Sequence, residues 1–323
     1  MMKKIYFVGD MITNTGPAIV NKSYYPFLKD HMFFCLSNNK IIRIFHLFSK
    51  ILFLNIVIIS GYSGLNRLFL KILRKFRKRT YYLMHGFFAE EVKYKDINNK
   101  KVTIDREYEF LNLVDIIICV SEKFSVFLKE IYPEFKDKIK FINNGINTSS
   151  TINNKINHNC YTLISVGGGL KLKNNLTVCR AIAVLEDNIK FIVIGSQAEN
   201  GCAIKEYPFV EYYDYLTHDE VLEKMCESDL YIQNSYFETF GLSIIEALQC
   251  GCNILVGKNI GALSILKNVQ ENDIINNNDD INEISKKIKN KMTSKCCKIT
   301  FDVKKSSCKF QCEKLLNMVM EEK

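Results

Sequence analysis

The chain has 323 residues, of which 47% are hydrophobic and 24% are charged, and its net charge is +9. This length suffices for two domains, and the composition indicates a globular protein and excludes a disordered one. The most apolar region, residues 41–60, is interrupted by Arg43, His46 and Lys50, so we expect a helix and a strand there and no membrane span. The N-terminal apolar run is too short for a signal peptide, and twelve cysteines without a secretion signal indicate a reducing cytosol.

Strand-like and helix-like segments alternate through the first half of the chain, which predicts βαβ units around a parallel sheet. The expected strands are residues 4–8, 32–36, 55–59, 80–84, 115–120 and 139–142. The expected helices are residues 18–27, 41–52, 65–77 and 122–131. The polar, Asn-rich residues 148–160 mark a linker, so the first domain covers residues 1–147.

The alternation resumes after the linker and predicts a second domain over residues 161–300. The expected strands are residues 162–166, 191–194, 229–233 and 253–256. The expected helices are residues 174–185, 218–226, 242–250 and 281–291, and residues 268–280 are expected to form a loop. Within the tail, residues 301–323, a last helix over 309–320 could pack back on the first half.

One stretch of the second half combines acidic residues with a predicted helix start. Glu238 lies in the loop after the strand 229–233, and Glu246 lies on the helix that begins at Gly241. The first N–H groups of a helix have no partner within it and attract anions. We therefore expect an anion site at Gly241, Leu242 and Ser243. Carboxylates on both sides of such a site suit a nucleotide sugar, which has phosphates between two sets of hydroxyls. The packed face of the helix is expected to carry Leu242, Ile245 and Leu248.

A second charged segment follows the first strand of this half. Three glycines at 167–169 precede Lys171 and Lys173, and a helix is predicted to follow. Glycines allow close approach of backbone to a ligand, and lysines supply charge for a diphosphate. The segment meets neither the dinucleotide fingerprint G-x-G-x-x-G nor the phosphate-loop pattern G-K-[ST].

The sequence from Glu238 to Glu246, Glu-Thr-Phe-Gly-Leu-Ser-Ile-Ile-Glu, with Ser235 before it and Gly251 after it, resembles the Glu-x7-Glu motif of the retaining family-four glycosyltransferases, glycosyl transferases group 1. The resemblance implies an α/β protein of GT-B fold, in which two Rossmann-like domains with parallel sheets face a central cleft. It makes residues 1–147 the acceptor side and residues 161–300 the nucleotide-sugar side.

The resemblance also implies roles for the glycine loop of the second half. Lys173 aligns with the family's phosphate lysine, and Gly168 stands where an arginine is usual. Lys171, two residues after Gly169, offers a positive charge in place of the missing arginine. Asn174 stands where the family has a second glycine.

Three further positions correspond to the family's donor site. Gly16 follows the first strand, at the position of the family's glycine loop. His85 ends a strand, as the family's cleft histidine does, and the resemblance places it against the donor sugar. Backbone at Leu216 is expected to contact the nucleobase.

The resemblance implies transfer of a hexosyl unit from a nucleoside diphosphate sugar, with UDP-sugar favoured, to a hydroxyl of a glycan or lipid-linked acceptor in cell-surface polysaccharide synthesis. Glu246 would hold the ribose and Glu238 a hydroxyl of the donor sugar, while Lys171, Lys173 and the helix start stabilise the leaving diphosphate. The resemblance implies retained anomeric configuration and no cofactor. We also expect no metal, because no aspartate pair has metal-ligand spacing.

The basic residues 67–79 contain Leu68, Leu70, Ile72, Leu73 and Phe76, which could form one helical face. This segment is either a solvated helix or an attachment to an anionic membrane surface from the cytoplasmic side. Nothing resembling a nucleic-acid-binding module accompanies the charge.

Three other interpretations of the sequence stay open. A non-catalytic glycosyltransferase-like subunit is compatible with Gly168 in place of arginine and Ser264 in place of a third acid. An inverting or epimerising GT-B enzyme would need a general base in the first half, and an oxidoreductase would carry bound NAD. The tail cysteines Cys296, Cys297, Cys308 and Cys312 either bind zinc or are incidental, and their spacing fits no common zinc pattern.

Overall fold

The structure is a computed structural model that describes residues 4–13, 15–37, 39–95, 99–147, 160–293 and 299–321. Most of the predicted linker, together with Cys296 and Cys297, lies outside the described residues. The chain folds into two compact units. The first unit comprises residues 1–148 and 302–323, and the second unit comprises residues 149–301.

The first unit is built on a six-stranded parallel sheet. Its strands are β1 (Ile5–Val8), β2 (Met32–Phe34), β3 (Ile56–Ser60), β4 (Arg79–Met84), β5 (Ile116–Cys119) and β6 (Ile139–Phe141). Their order is β2-β1-β3-β4-β5-β6. The helices are α1 (Gly16–Leu28), α2 (Lys40–Lys50), α3 (Gly64–Lys75), α4 (Phe88–Glu91), α5 (Lys100–Leu113) and α6 (Glu122–Ile131).

Local sequence explains several of these boundaries. The strands are apolar runs, such as Ile-Ile-Ile-Cys in β5, because helices cover both faces of a parallel sheet. Ser63 and Ser121 follow strands by a few residues and cap α3 and α6 through their hydroxyl oxygens. Sequence periodicity does not predict α5, whose buried Glu107 accepts hydrogen bonds from the N–H groups of Phe88 and Ala89 at 3.0 and 2.9 Å.

Helix α3 differs from the prediction made for its basic sequence. Leu70 and Leu73 are buried in the core, whereas Leu68 and Phe76 are exposed, so the expected single apolar face was wrong. Arg67 and Lys71 both pair with the carboxylate of Glu109. The helix is therefore a core helix whose outer basic residues are partly neutralised.

The second unit repeats the architecture with a second six-stranded parallel sheet. Its strands are β7 (Tyr161–Val166), β8 (Ile189–Ile194), β9 (Val210–Tyr213), β10 (Leu230–Gln233), β11 (Asn253–Gly257), β12 (Leu266–Lys267), β13 (Ile274–Ile275) and β14 (Thr300–Phe301). The sheet order is β13-β11-β10-β7-β8-β9, while β12 and β14 form a separate antiparallel pair. The helices are α7 (Asn175–Ala183), α8 (Gly201–Lys205), α9 (His218–Cys226), α10 (Leu242–Gln249) and α11 (Ile281–Thr293).

Two last helices, α12 (Val303–Ser306) and α13 (Cys308–Glu321), belong to the first unit, where α13 packs against α1. Cys308 and Cys312 are buried in this contact, and the Cys308 thiol lies 3.5 Å from the Ser23 hydroxyl. Among the described residues, no three His, Cys, Asp or Glu side chains are grouped to hold a metal ion. A search of the described helices finds none that is long and apolar enough to cross a membrane.

Candidate functional site

The carboxyl ends of the parallel strands in the second unit bring four loops to one edge of its sheet. These loops follow β7, β8, β10 and β11. This edge is where open α/β sheets bind ligands, because successive strand-to-helix turns converge there. Most of the residues predicted to bind the donor lie on the loops after β7 and β10.

The glycine turn after β7 is shaped by contact with the loop after β8. Gly167 and Gly168 have φ angles of 136° and 57°, which disfavour other residues. A Cβ atom on Gly168 would lie 2.2 Å from the Ser196 carbonyl oxygen, and one on Gly169 would lie 1.8 Å from that of Gln197. Two of the three glycines are thus required by backbone packing inside the unit, a constraint that the sequence pattern alone does not distinguish from ligand approach.

Gly167 has a different role, because it makes room for Lys173. A Cβ atom on Gly167 would lie 2.6 Å from the Lys173 Cγ. Lys173 ends a 3-10 turn that begins at Lys171, and its ammonium forms an ion pair with Glu238 Oε2. The side chains of Lys173 and Glu238 are 19% and 21% exposed, so this pair is sheltered but still accessible to a ligand.

Asn174 and Lys171 complete this turn. Asn174 adopts the left-handed conformation with φ 53°, which asparagine tolerates better than most residues, and this explains its presence where the family often has glycine. Its amide donates to the Asn278 carbonyl at 2.7 Å. The Lys171 backbone N–H donates to Glu199 Oε2 at 3.3 Å, which ties the turn to the loop after β8.

A chain of buried hydrogen bonds leads to Glu238. Gln233 Nε2 donates to Glu238 Oε2 at 3.2 Å, and the Tyr231 hydroxyl donates to Gln233 Oε1 at 3.1 Å. The Ser243 and Tyr231 hydroxyls are 2.7 Å apart, and since the Tyr231 proton is already used, Ser243 must donate. These bonds orient the Glu238 carboxylate and occupy Oε2. Oε1 makes none of the described hydrogen bonds.

Tyr231 and Gln233 were not predicted as site residues from the sequence. Burial raises the pKa of Tyr231 above its ordinary value, so its hydroxyl stays protonated and keeps donating. The sequence signal that could have identified them is a pair of polar side chains, two residues apart, in a strand whose other residues are apolar. This spacing places both side chains on one face of the sheet.

Helix α10 begins at the predicted place. Gly241 precedes it with φ 96° and caps it without a side chain. The N–H groups of Gly241, Leu242 and Ser243 find no acceptor among the described residues, whereas that of Ile244 donates to the Gly241 carbonyl at 3.2 Å. The positive end of the helix dipole is thus open. The packed face consists of Ile244, Ile245 and Ala247. The expectation that Leu242 and Leu248 are buried there was wrong, since both are half-buried.

Glu246 lies one turn into α10, with its carboxylate 3.9 Å from His218 Nε2. Burial raises the pKa of Glu246, and the neighbouring His218 opposes that rise. His218 is the first residue of α9 and was not predicted as a site residue. Leu216 is half-buried two residues earlier, in the same connection between β9 and α9.

In the first unit, His85 follows β4 and belongs to a chain of hydrogen bonds. Its Nε2 lies 2.9 Å from the Ser60 hydroxyl, which donates to Asn21 Oδ1 at 2.6 Å. Asn21 Nδ2 donates in turn to the Asp10 carbonyl at 2.9 Å. Since Ser60 uses its proton toward Asn21, His85 must carry a proton on Nε2. Burial lowers the pKa of His85 to about 4, so the ring is neutral with Nδ1 as its acceptor.

The loop after β1 supports this arrangement and carries Gly16. A Cβ atom on Gly9 would lie 2.6 Å from Asn21 Nδ2, so Gly9 leaves space for that amide. Gly16 begins α1, and a Cβ atom on it would meet nothing within 4 Å. Within its own unit, therefore, nothing requires a glycine at position 16.

The predicted site residues fall into two groups. The second unit brings together the glycine turn, Lys173, Glu238 and the start of α10. Hydrogen bonds from Ser243 through Tyr231 and Gln233 connect the start of α10 to Glu238. The first unit carries Gly16 and His85 at carboxyl ends of its own strands.

Comparison with known proteins gives the same family as the resemblance seen in the sequence. Residues 148–299 match the family described as glycosyl transferases group 1. The chain is 25% identical over 176 residues to a probable sucrose-phosphate synthase of Thermosipho melanesiensis, a match covering 50% of this chain and 42% of that protein. It is 22% identical over 211 residues to a Campylobacter jejuni protein named N,N'-diacetylbacillosaminyl-diphospho-undecaprenol alpha-1,3-N-acetylgalactosaminyltransferase, covering 59% and 53%. The chain thus spans about half the length of the curated relatives it matches.

Among solved structures, Anabaena HepE in complex with UDP and glucose superimposes with a TM-score of 0.68 at 13% identity, covering 98% of this chain and 95% of that one. This likeness confirms the predicted α/β fold class with two Rossmann-like domains. Together with the family match, it confirms the resemblance seen in the sequence from Glu238 to Glu246. Residues 148–299 are thus a glycosyl transferases group 1 domain, in a chain of GT-B fold.

Proposed function

We propose that this protein transfers a hexosyl unit from a nucleoside diphosphate sugar to a hydroxyl group, with retained anomeric configuration. The observation that carries the proposal is the meeting of Lys173, Glu238 and the open start of α10 at one sheet edge of a group 1 domain. Cationic and N–H donors there suit a diphosphate, and the carboxylate suits sugar hydroxyls. UDP-sugar is the favoured donor because the similar HepE structure holds UDP and glucose.

The leaving diphosphate would be stabilised by Lys173 and the first N–H groups of α10. The Lys173 ammonium has three N–H donors, and its ion pair with Glu238 needs only one of them. Lys171 adds a second positive charge two residues away. Preorganised donors of this kind act most strongly in a sheltered site, where water does not compete with them.

The carboxylates would position the two ends of the donor. Glu238 would accept a donor-sugar hydroxyl on Oε1, since its Oε2 is held by Lys173 and Gln233. Glu246 would accept the ribose hydroxyls, and backbone at Leu216 would contact the base. In the first unit, His85 would face the donor sugar, and Gly16 would approach the donor phosphate.

No residue is required as a nucleophile in this scheme. In the route that the family resemblance implies, the acceptor attacks the face that the diphosphate leaves, and the leaving phosphate takes the acceptor proton. We propose that transfer needs no metal and no cofactor, and that the charges at Lys171, Lys173 and the start of α10 suffice for the leaving group.

The acceptor is proposed to be a glycan or a lipid-linked saccharide in cell-surface polysaccharide synthesis, handled by a cytoplasmic protein at the membrane periphery. The name of the Campylobacter jejuni relative, which specifies a diphospho-undecaprenol compound, supports a lipid-linked acceptor.

A screen of nucleoside diphosphate sugars by thermal shift, followed by NMR of the product anomer, tests the proposal. We expect a UDP-sugar to raise the melting temperature, because it binds only the native state, and the product to keep the donor's configuration. Inverted product would contradict retention, and no stabilisation by any nucleotide sugar would contradict the donor class.

A non-catalytic glycosyltransferase-like subunit is the second candidate. The favouring observation is Gly168. A Cβ atom there would lie 2.2 Å from the Ser196 carbonyl oxygen, so this turn has no room for the arginine that is usual in the family. Donor binding without hydrolysis or transfer would support that candidate. Measured transfer would exclude it.

A further inference from the structure

Helix α2 of the first unit is oriented with its aromatic side chains outward. Phe45 is 71% exposed, and Ile41 and Phe48 are exposed on the same side. These residues are spaced by four and three positions, and Leu52, four positions further and 74% exposed, continues the stripe. We call Ile41, Phe45, Phe48 and Leu52 the outer stripe. Contiguous exposed apolar side chains are uncommon on monomeric proteins and often mark contact surfaces.

Three polar residues of the same helix contact the rest of the unit, while Lys40 and Ser49 are exposed. Arg43 Nη2 donates to Asn66 Oδ1 at 3.4 Å. His46 Nδ1 lies 2.7 Å from the Tyr6 hydroxyl, and the Lys50 ammonium lies 5.1 Å from the centre of the Phe33 ring. The helix therefore uses Arg43, His46 and Lys50 for internal contacts and leaves its aromatic groups outside, which is unusual for a surface helix.

Basic residues lie beside the Leu52 end of this stripe. Lys78 Nζ donates to the Leu54 carbonyl at 2.6 Å, so the segment after α3 lies directly beside the exposed Leu52 and Phe53. Residues 74–79, which we call the basic segment, run from the last turn of α3 to the start of β4. Four of them, 74 and 77–79, line a surface depression of about 530 Å³ together with a single carboxylate, Asp115. Between Asp30 and Glu90 the sequence contains ten lysines and arginines and no acidic residue.

We propose that the outer stripe and the basic segment 74–79 dock this protein on an anionic lipid bilayer. Exposed apolar side chains beside cationic ones match a membrane interface, where acyl chains lie under negatively charged head groups. A second copy of the chain fits this surface poorly, since a two-fold contact would bring two cationic surfaces together. The inference is independent of the proposed transfer reaction, because none of these residues belongs to the donor site.

The sequence offers a direct probe, since the chain contains no tryptophan. Phe45→Trp places the chain's one tryptophan on the outer stripe, and Val184→Trp places it at an exposed position of the second unit as a control. With vesicles of phosphatidylcholine and phosphatidylglycerol, we expect the Phe45→Trp emission to shift to shorter wavelength and to be quenched by brominated acyl chains. The Val184→Trp emission should not change.

Two further variants separate the apolar and the cationic contributions. Phe45→Ser with Phe48→Ser should abolish co-sedimentation of the otherwise unmodified chain with the mixed vesicles without lowering its melting temperature. Lys75→Gln with Arg77→Gln should weaken sedimentation by about tenfold or more, and added salt should weaken it further.

Several results would overturn the proposal. One is the absence of any vesicle effect, and another is an equal shift for the two tryptophan variants. Equal binding to pure phosphatidylcholine would remove the anionic requirement. A shift that follows protein concentration without vesicles, with a dimer on gel filtration, would assign the surface to a second copy.

Discussion

The two units use the same sheet architecture to present different chemistry at the carboxyl ends of their strands. The second unit presents charge, in the Lys173–Glu238 ion pair beside the open start of a helix. The first unit presents neutral groups in one chain of hydrogen bonds, from Asn21 through Ser60 to His85. The charge at the second unit supports the proposal that this unit binds the diphosphate of the donor.

The glycines of the two units also differ, in whether neighbouring backbone leaves room for a side chain. In the second unit Gly168 and Gly169 are fixed by contact with neighbouring backbone. In the first unit Gly16 faces open space, so only something outside the unit could require a glycine there. Alanine substitutions at glycines of the two units test this comparison directly.

The largest effect is expected from Gly169→Ala. The added Cβ would lie 1.8 Å from the Gln197 carbonyl oxygen, so the β7 and β8 loops must separate. We expect the free energy of unfolding to fall by about 3 kcal/mol or more, measured by urea denaturation. Gly16→Ala is the matched control and should leave stability unchanged. If Gly16 approaches the donor phosphate, the control should still raise the KM for the donor.

The second effect concerns the charged pair. Glu238→Gln and Lys173→Ala should each lower kcat by about 10²–10³, because each removes an interaction with the developing charge or the sugar. The control is Glu271→Gln, which alters an exposed carboxylate elsewhere in the second unit. Loss of activity in Glu246→Ala but not in Lys171→Ala or Lys173→Ala would refute the phosphate role of the lysines.

The third effect concerns the hydrogen bonds that join Asn21, Ser60 and His85 in the first unit. Ser60→Ala removes the acceptor that fixes the proton on His85 Nε2, and it should lower activity by about tenfold. Nitrogen-15 NMR of the His85 ring should show the Nε2-protonated form in the unmodified chain and a mixture in the variant. Ser49→Ala, at an exposed hydroxyl, is the control. An unchanged spectrum in Ser60→Ala would contradict the assigned chain.

The fourth effect is a pH dependence set by Glu246. Burial raises its pKa, so as pH falls Glu246 becomes protonated earlier than an ordinary glutamate and accepts fewer ribose hydrogen bonds. The KM for the donor should therefore rise toward acid pH. His218→Gln removes the group that lowers this pKa and should move the rise to higher pH. His85, whose pKa lies at about 4, should add no change near neutral pH.

The smallest effect is expected from metal removal. Excess EDTA should leave the transfer rate unchanged, since the leaving diphosphate is assigned to Lys171, Lys173 and the start of α10. Restoration of a lost rate by added Mg²⁺ or Mn²⁺ would show that these groups do not suffice.

Much of the fold could be predicted because its signals are local. Apolar runs such as Ile116–Cys119 and the glycine before α10 mark the elements in sequence. Helix α5 could not be found, since Glu107 occupies a buried position where the helical pattern calls for an apolar residue. Burial raises the pKa of Glu107 to about 7, and the backbone groups that oppose this rise come from a different helix.

The orientation of α2 illustrates a limit of periodicity. Leu47 and Ile51 face the core, whereas Phe45, Phe48 and Leu52 face outward. Both sets have helical spacing, so the sequence cannot tell which one the sheet will cover. The outcome depends on partners such as Tyr6 and Asn66, which lie far away in sequence.

The site shows the same division between local and distant information. The motif from Glu238 to Glu246 is contiguous and could be recognised. The bonds that orient its first residue come from Tyr231 and Gln233, on the preceding strand. The chain to His85 joins segments that are 39 and 25 residues apart, a distance over which no sequence pattern indicates contact.

The most direct test of the account is a calorimetric titration of UDP into the unmodified chain and into Lys173→Ala, with Lys140→Ala as an exposed lysine of the first unit for control. A charge-assisted contact to phosphate predicts that Lys173→Ala weakens binding about tenfold to a hundredfold, while Lys140→Ala leaves it unchanged. Equal affinity in Lys173→Ala, or no UDP binding by the unmodified chain, would contradict the assignment of the diphosphate to the second unit.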